Sequence, residues 1–107
     1  CWQCGKAAQD FAANALRSKA ATIRLVSSSS YGRPVAVVTV DGADLGERLI
    51  RAGLATPQAS YLRDDPARLR AYNAAFASAR RQRAGAFAGD WIEPSRWRHG
   101  NRLSCER

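Results

Sequence analysis

Three groups of side chains in this 107-residue sequence have types and spacings suited to chemistry. The first is a cation at a turn. Tyr31-Gly32-Arg33-Pro34 opens a β-branched run, 35–40, which closes on Asp41-Gly42. A guanidinium at the mouth of a strand offers a planar fork of donors that matches phosphate oxygens. The second group is Cys1, Cys4 and Cys105, with His99. A disulfide tying the N-terminal segment to the tail, Cys4 with Cys105, fits an oxidising compartment. Cys1-x-x-Cys4 with His99 and Cys105 also offers four ligands of the types that zinc takes. Unpaired thiols are the third alternative. The third group is acidic. Asp41 belongs to a tight turn. Asp44-x-x-Glu47 has the spacing of a capping box, and Asp64-Asp65-Pro66 that of a helix start. Asp10 reads as a solvated helix residue. On sequence grounds none of these acids is assigned as a catalytic group or metal ligand.

The charge balance points to a partner. Basic residues number 17, of which 15 are arginine, against nine acids, for a net charge of +8. An anionic polymer suits such a surface; a basic but idle surface is the plain alternative. With 46% hydrophobic residues the chain supports a small core. The length predicts one domain, 1–107, with a tail, 85–107, packed on its body. No apolar run reaches membrane-spanning length, so no membrane partner is expected. The sequence begins with Cys rather than Met. The expectation is a chain processed, trimmed or cut from something longer.

These groups need elements to position them. Ala8, Phe11, Ala12, Ala15 and Leu16 recur at helical spacing, which predicts a helix over 5–17. Ile23 and Leu25 alternate with Thr22 and Arg24, which predicts a strand over 21–27. The serines at 27–30 read as a hairpin loop. The strand over 34–41 has apolar residues on both faces and is expected to be buried on both sides. A second helix is predicted over 44–53, with Leu45, Leu49 and Ala52 as its core face and Gly53 as a left-handed cap. A third runs over 66–84 on a stripe of Leu69, Tyr72, Phe76 and Ala79, stopped by Gly85. Its arginines read as a solvated face. Trp91, Ile92 and Trp97 read as packing anchors of the tail; with Arg96, Arg98 and Arg102 interleaved among these residues, binding of single strands is the alternative.

Taken in order, Tyr31-Gly32-Arg33, the following strand, Asp41-Gly42, and a helix ending Arg51-Ala52-Gly53-Leu54-Ala55 resemble the staphylococcal nuclease (thermonuclease) family. The similarity extends through the loop carrying Tyr61 and into the long basic helix. It implies an α+β fold, an OB-type barrel with three helices. It further implies Ca²⁺-dependent hydrolysis of phosphodiester bonds in DNA and RNA. Carried over by position, Arg33 matches a catalytic arginine that stabilises charge on the phosphorus. Tyr31 matches a tyrosine near a nucleotide phosphate, and Tyr61 an aromatic of the base pocket. Two positions depart from the pattern: Ala59 replaces a neighbouring pocket tyrosine, and Ser29 the aspartate that usually opens the turn.

In the family, the calcium aspartates, the glutamate and the other catalytic arginine precede the first helix, where this sequence begins. The resemblance therefore implies a barrel truncated at its N-terminus, leaving the hairpin and three helices. On this expectation Ca²⁺ serves the intact domain and does not bind this chain alone. The chain would then be part of a nuclease and inactive by itself. The alternative is a non-catalytic basic module binding single-stranded nucleic acid. Self-association through exposed strand edges and a secreted or periplasmic location complete the expectations.

Overall fold

The computed structural model describes residues 1–30 and 32–106, with backbone alone at 27–30. Tyr31 lies outside the described residues. Helix α1 spans Cys4–Leu16; strands β1 and β2 span Ala21–Ser30 and Arg33–Val40. A two-residue strand, β3 (Ala43–Asp44), runs directly into α2 (Leu45–Arg51). Helices α3 (Pro66–Arg81) and α4 (Pro94–Arg98) follow, with 3₁₀ turns at Ala59–Tyr61, Gly85–Ala88 and Ser104–Glu106. The α+β class is as expected. The sheet is three antiparallel strands in the order β1-β2-β3.

Both tight turns follow from backbone chemistry. Asp41 and Gly42 have φ of 53° and 76°, which closes β2 onto β3 through the pair Val40 and Ala43. Two positive φ values in a two-residue loop match the right-handed twist of the strands it joins. The other hairpin turn differs from expectation. Pairing continues through Ser29 with Pro34 and Ser30 with Arg33, so the serines extend β1 rather than form its loop. Between Leu25 and Ser29 the register shifts, since β1 spends four residues where β2 spends two. Extended backbone suits serine well enough for the ladder to resume beyond that bulge.

The expectation that β2 is buried on both sides holds only at one end. Val40 is 1% exposed and Val37 is buried on the opposite face. The remaining apolar residues of β2 are half-buried, and Arg33 and Pro34 are exposed. Paired residues of antiparallel strands share a face. Ala36, Val38 and Val40 therefore share theirs with Leu25, Ile23 and Ala21. Ile23 and Leu25 are 64% and 65% exposed, so this apolar face is covered only near Val40.

The core lies where α2 and α3 cross beneath that end of the sheet. Ala15, Val37, Val40, Leu45, Ile50, Leu62, Ala75 and Ala79 form it. On α2 the buried pair is Leu45 and Ile50, while Leu49 and Ala52, expected on the core face, are half-buried. On α3 the small residues Ala75, Ser78 and Ala79 are buried, which lets the helices approach closely. The aromatic members of the expected stripe flank them, half-buried.

Both helices end in the same way. Gly53 has φ 74°; its N–H donates to the Ile50 carbonyl and that of Leu54 to the Leu49 carbonyl, the two hydrogen bonds of a Schellman cap. At the end of α3, Arg83 takes the left-handed position with φ 52°. The Ala84 N–H donates to Ala79 at 2.9 Å. The helix thus stops three residues before the predicted end, and Gly85 is not its terminator. Gly85 instead lies against the Gly53 backbone, whose carbonyl accepts from the Ala86 N–H at 3.0 Å.

Candidate nucleic-acid interface

Arg33 begins β2, directly after Gly32, whose φ of 76° the turn demands. Its side chain is exposed at the hairpin end farthest from the α2–α3 core. Arg33 and the buried Val40 stand at opposite ends of this eight-residue strand, in which each residue advances about 3.3 Å. Tyr61 sits elsewhere, in the Ala59–Tyr61 turn. Its neighbour Leu62, 5% exposed, pins that turn to the core, and the N–H groups of Tyr61, Leu62 and Asp65 close successive short turns. Among the described residues this turn and β2 do not pack extensively on one another. Tyr31, the third candidate, is outside the described residues.

Asp41, Asp44, Glu47 and Asp65 are engaged. Asp44 caps α2 by accepting from the Glu47 N–H at 3.2 Å. Both its carboxylate oxygens also lie 2.8 Å from the Tyr72 hydroxyl of α3. Asp65 caps α3 through the Arg68 N–H at 3.1 Å and takes the Arg68 guanidinium at 3.0 Å. Arg68, with a side chain only 13% exposed, reaches Asp44 at 3.9 Å as well, and Arg24 of β1 comes within 3.7 Å of Asp65. One network therefore joins the sheet, the start of α2 and the start of α3. Burial, followed by the hydrogen bond to Asp44, raises the Tyr72 pKa well above the ordinary tyrosine value. The Arg68 backbone N–H holds the Asp65 carboxyl below its usual range, with burial opposing and the guanidinium assisting.

Glu47 pairs with Arg51 one turn on, at 3.3 Å, and Asp41 pairs with Lys19. Ca²⁺ takes roughly six to eight oxygen ligands converging on one point. Among the described residues no three carboxylate, histidine or cysteine side chains converge so. Asp41, Asp44, Glu47 and Asp65 do not form a calcium site, because helix caps and the cations Lys19, Arg51 and Arg68 hold their oxygens.

The network was partly legible. Asp65, Arg68 and Tyr72 stand at i, i+3 and i+7, one face of a helix. Arg68 was nonetheless read as solvated and Tyr72 as plain core, because their partner Asp44 lies 28 residues from Tyr72.

The cysteines require a correction. The disulfide joins Cys1, not Cys4, to Cys105, with Cα atoms 5.6 Å apart, and Cys4 is an exposed free thiol at the start of α1. The pairing follows the helix. Cys4 is its first residue, whereas Cys1 lies in the extended segment before it, where the returning tail ends. His99 Nδ1 lies 2.6 Å from the Ser95 carbonyl oxygen, within its own short helix.

Positive charge is left over. Arg17, Arg63, Arg70, Arg81, Arg83, Arg96 and Arg98 make no side-chain hydrogen bond or ion pair among the described residues. Arg48 and Arg80 lie over the rings of Phe11 and Phe76, at 5.5 and 5.7 Å. This excess is what an anionic chain would meet at the surface.

A comparison with curated proteins finds no match. Among protein families, the one described as staphylococcal nuclease homologue matches residues 2–88. That span runs from α1 to the 3₁₀ turn after α3, taking in the hairpin with Arg33, both Schellman caps and the Asp44–Tyr72 network. The chain belongs to the staphylococcal nuclease homologue family.

Proposed function

We propose that this chain is the nucleic-acid-holding part of a thermonuclease-like phosphodiesterase. Arg33 clamps a phosphate, with Tyr31 and Tyr61 beside the nucleotide. Family membership combined with an exposed Arg33, set directly behind a left-handed glycine, carries the reading. The guanidinium stabilises negative charge that builds on the phosphorus as the bond is cut. Calcium, which the family uses, would be held by residues outside this chain: Asp44, Asp65 and Glu47 serve caps and ion pairs, and no three acidic, histidine or cysteine side chains converge among the described residues. The chain by itself then holds single-stranded DNA or RNA without cutting it.

The open face bearing Ile23 and Leu25 supports the same reading. An apolar sheet face of this kind suits further strands that close an OB-type barrel, or a second copy paired along the β1 edge. The Cys1–Cys105 bond supports a secreted or periplasmic location, since such bonds persist in oxidising compartments.

Denatured DNA offered with and without Ca²⁺ provides the test. The expected result is binding that weakens steeply with salt, without cleavage. Ca²⁺-dependent cleavage that disappears in Arg33→Ala would make the chain a self-sufficient enzyme and overturn the proposal. Failure to bind at low salt would remove the nucleic-acid reading altogether.

A further inference from the structure

The family match ends at residue 88, yet the chain beyond it is built as carefully as the chain before. Trp91 stands edge-on to Phe87 at 4.8 Å, and Phe87 edge-on to Phe76 of α3 at 5.6 Å. This aromatic ladder fixes the near end of the tail. The Cys1–Cys105 bond fixes the far end. Between them lies a groove of about 610 Å³, lined by Trp91, Ile92, Glu93, Arg96, Asn101 and Arg102. That volume falls within the roughly 300–1,000 Å³ typical of ligand sites.

Arg96 and Arg102 line the groove, and Arg98 adjoins it on α4. Arg102 Nη1 donates to the carbonyls of Trp97 and Asn101, both at 2.7 Å, which holds the guanidinium 4.0 Å over the Trp97 ring. Its other N–H groups make no bond with described residues. The side chains of Arg96 and Arg98, on α4, likewise have no partner among the described residues. Trp97 was expected to be a packing anchor but is 45% exposed. Its Nε1 donates to Glu106 at 3.3 Å, which fixes the ring's orientation. Glu93 is the one acid lining the groove, and its Oε2 is buried without a donor.

We propose that this groove and the adjoining α4 residues Trp97 and Arg98 form a second binding surface for single-stranded nucleic acid, with a base stacked on Trp97 and phosphates on Arg96, Arg98 and Arg102. The inference rests on the nucleic-acid reading above and adds a site that the family span does not contain. Arg96, Arg98 and Arg102 outnumber Glu93 and Glu106, the acids beside them, so the local field favours a polyanion. An exposed indole that already carries a stacked guanidinium offers a flat apolar surface, and an unpaired base fits it. A duplex, whose bases are stacked on one another, cannot present that face.

The test uses the full chain in EDTA, with a short fluorescein-labelled oligodeoxycytidine followed by anisotropy. Trp97→Ala is expected to weaken binding about tenfold, the loss of one stacked base. The Arg96→Gln/Arg98→Gln pair is expected to lower the slope of log affinity against log salt by about 1.4. These side chains are exposed, and circular dichroism serves to check that the variants fold. If both variants bind as the parent does while Arg33→Ala binds more weakly, the tail proposal fails and the Arg33 reading stands. If polyglutamate displaces the oligonucleotide as well as unlabelled DNA does, charge for charge, the groove is a general acidic-polymer surface and the proposal fails. If the parent chain binds nothing at low salt, both readings fail together.

Discussion

Replacing Asp44 with alanine removes two interactions at once. The carboxylate caps α2 at the Glu47 N–H and receives the Tyr72 hydroxyl at 2.8 Å, and it is only 17% exposed. Losing an N-cap costs about 1 kcal/mol. Leaving a half-buried hydroxyl without its carboxylate costs about 1–3 kcal/mol more. Arg68 keeps Asp65 at 3.0 Å, so its charge is not stranded and adds little. The sum is about 2–4 kcal/mol, which for a domain of this size lowers Tm by roughly 10–20 °C. Urea titration and thermal melts followed by circular dichroism measure it. Asp44→Asn separates the parts, because asparagine still caps the helix but accepts the hydroxyl without charge; its loss should be the smaller. Tyr72→Phe removes the hydroxyl alone. In the double-mutant cycle, Asp44→Ala and Tyr72→Phe should couple by about 1 kcal/mol or more, as groups in direct contact do. Losses that simply add, within about 0.3 kcal/mol, would mean that the 2.8 Å contact carries no energy and that α2 and α3 are held by packing alone.

Gly53→Ala should be among the most damaging single changes, with a loss above about 3 kcal/mol. The residue has φ 74°, and an added Cβ would collide with the Ala84 carbonyl; a melt within a few degrees of the parent would contradict the close backbone crossing. Stability should fall at both pH extremes for separate reasons. Asp65 has a depressed folded-state pKa, so its contribution is complete above the ordinary aspartate value and is lost as pH falls through the folded value; Asp65→Asn should flatten that acid limb. Tyr72 has a raised pKa, so its contribution is complete below about 10 and is lost as pH climbs further; Tyr72→Phe should remove that alkaline limb in urea midpoints measured against pH. Cys105→Ser opens a covalent loop closed across 104 residues. The chain-entropy model gives a loss approaching about 4–5 kcal/mol, and an unchanged urea midpoint would show that the termini add nothing to the fold.

Much of the local architecture can be read along the chain, because it answers local demands. Asp44 and Asp65 stand where free N–H groups at a helix start need an acceptor, and the structure finds both capping. Asp41-Gly42 and Gly53 stand where the backbone must turn left-handed, and their φ values are positive. Helix ends were less legible. Arg83 rather than a glycine ends α3, because a Schellman cap can impose φ 52° on an arginine once its carbonyls are satisfied. The serine run misled because extended backbone leaves no mark on such small polar side chains.

The sequence by itself determined the three longer helices, the Asp41-Gly42 turn, the surplus of arginine and the family pattern around Arg33. Each depends on residues within a few positions of one another, or on composition. The tertiary structure alone decided that Tyr72 meets Asp44, that Gly53 meets Gly85, and that Cys1 takes Cys105. It also placed Arg33 and Tyr61 on separate elements and left Trp97 at the surface beside free arginines. Contacts between distant positions arise only when the whole chain has chosen which apolar surfaces to bury. Spacing along the chain therefore carries no record of them.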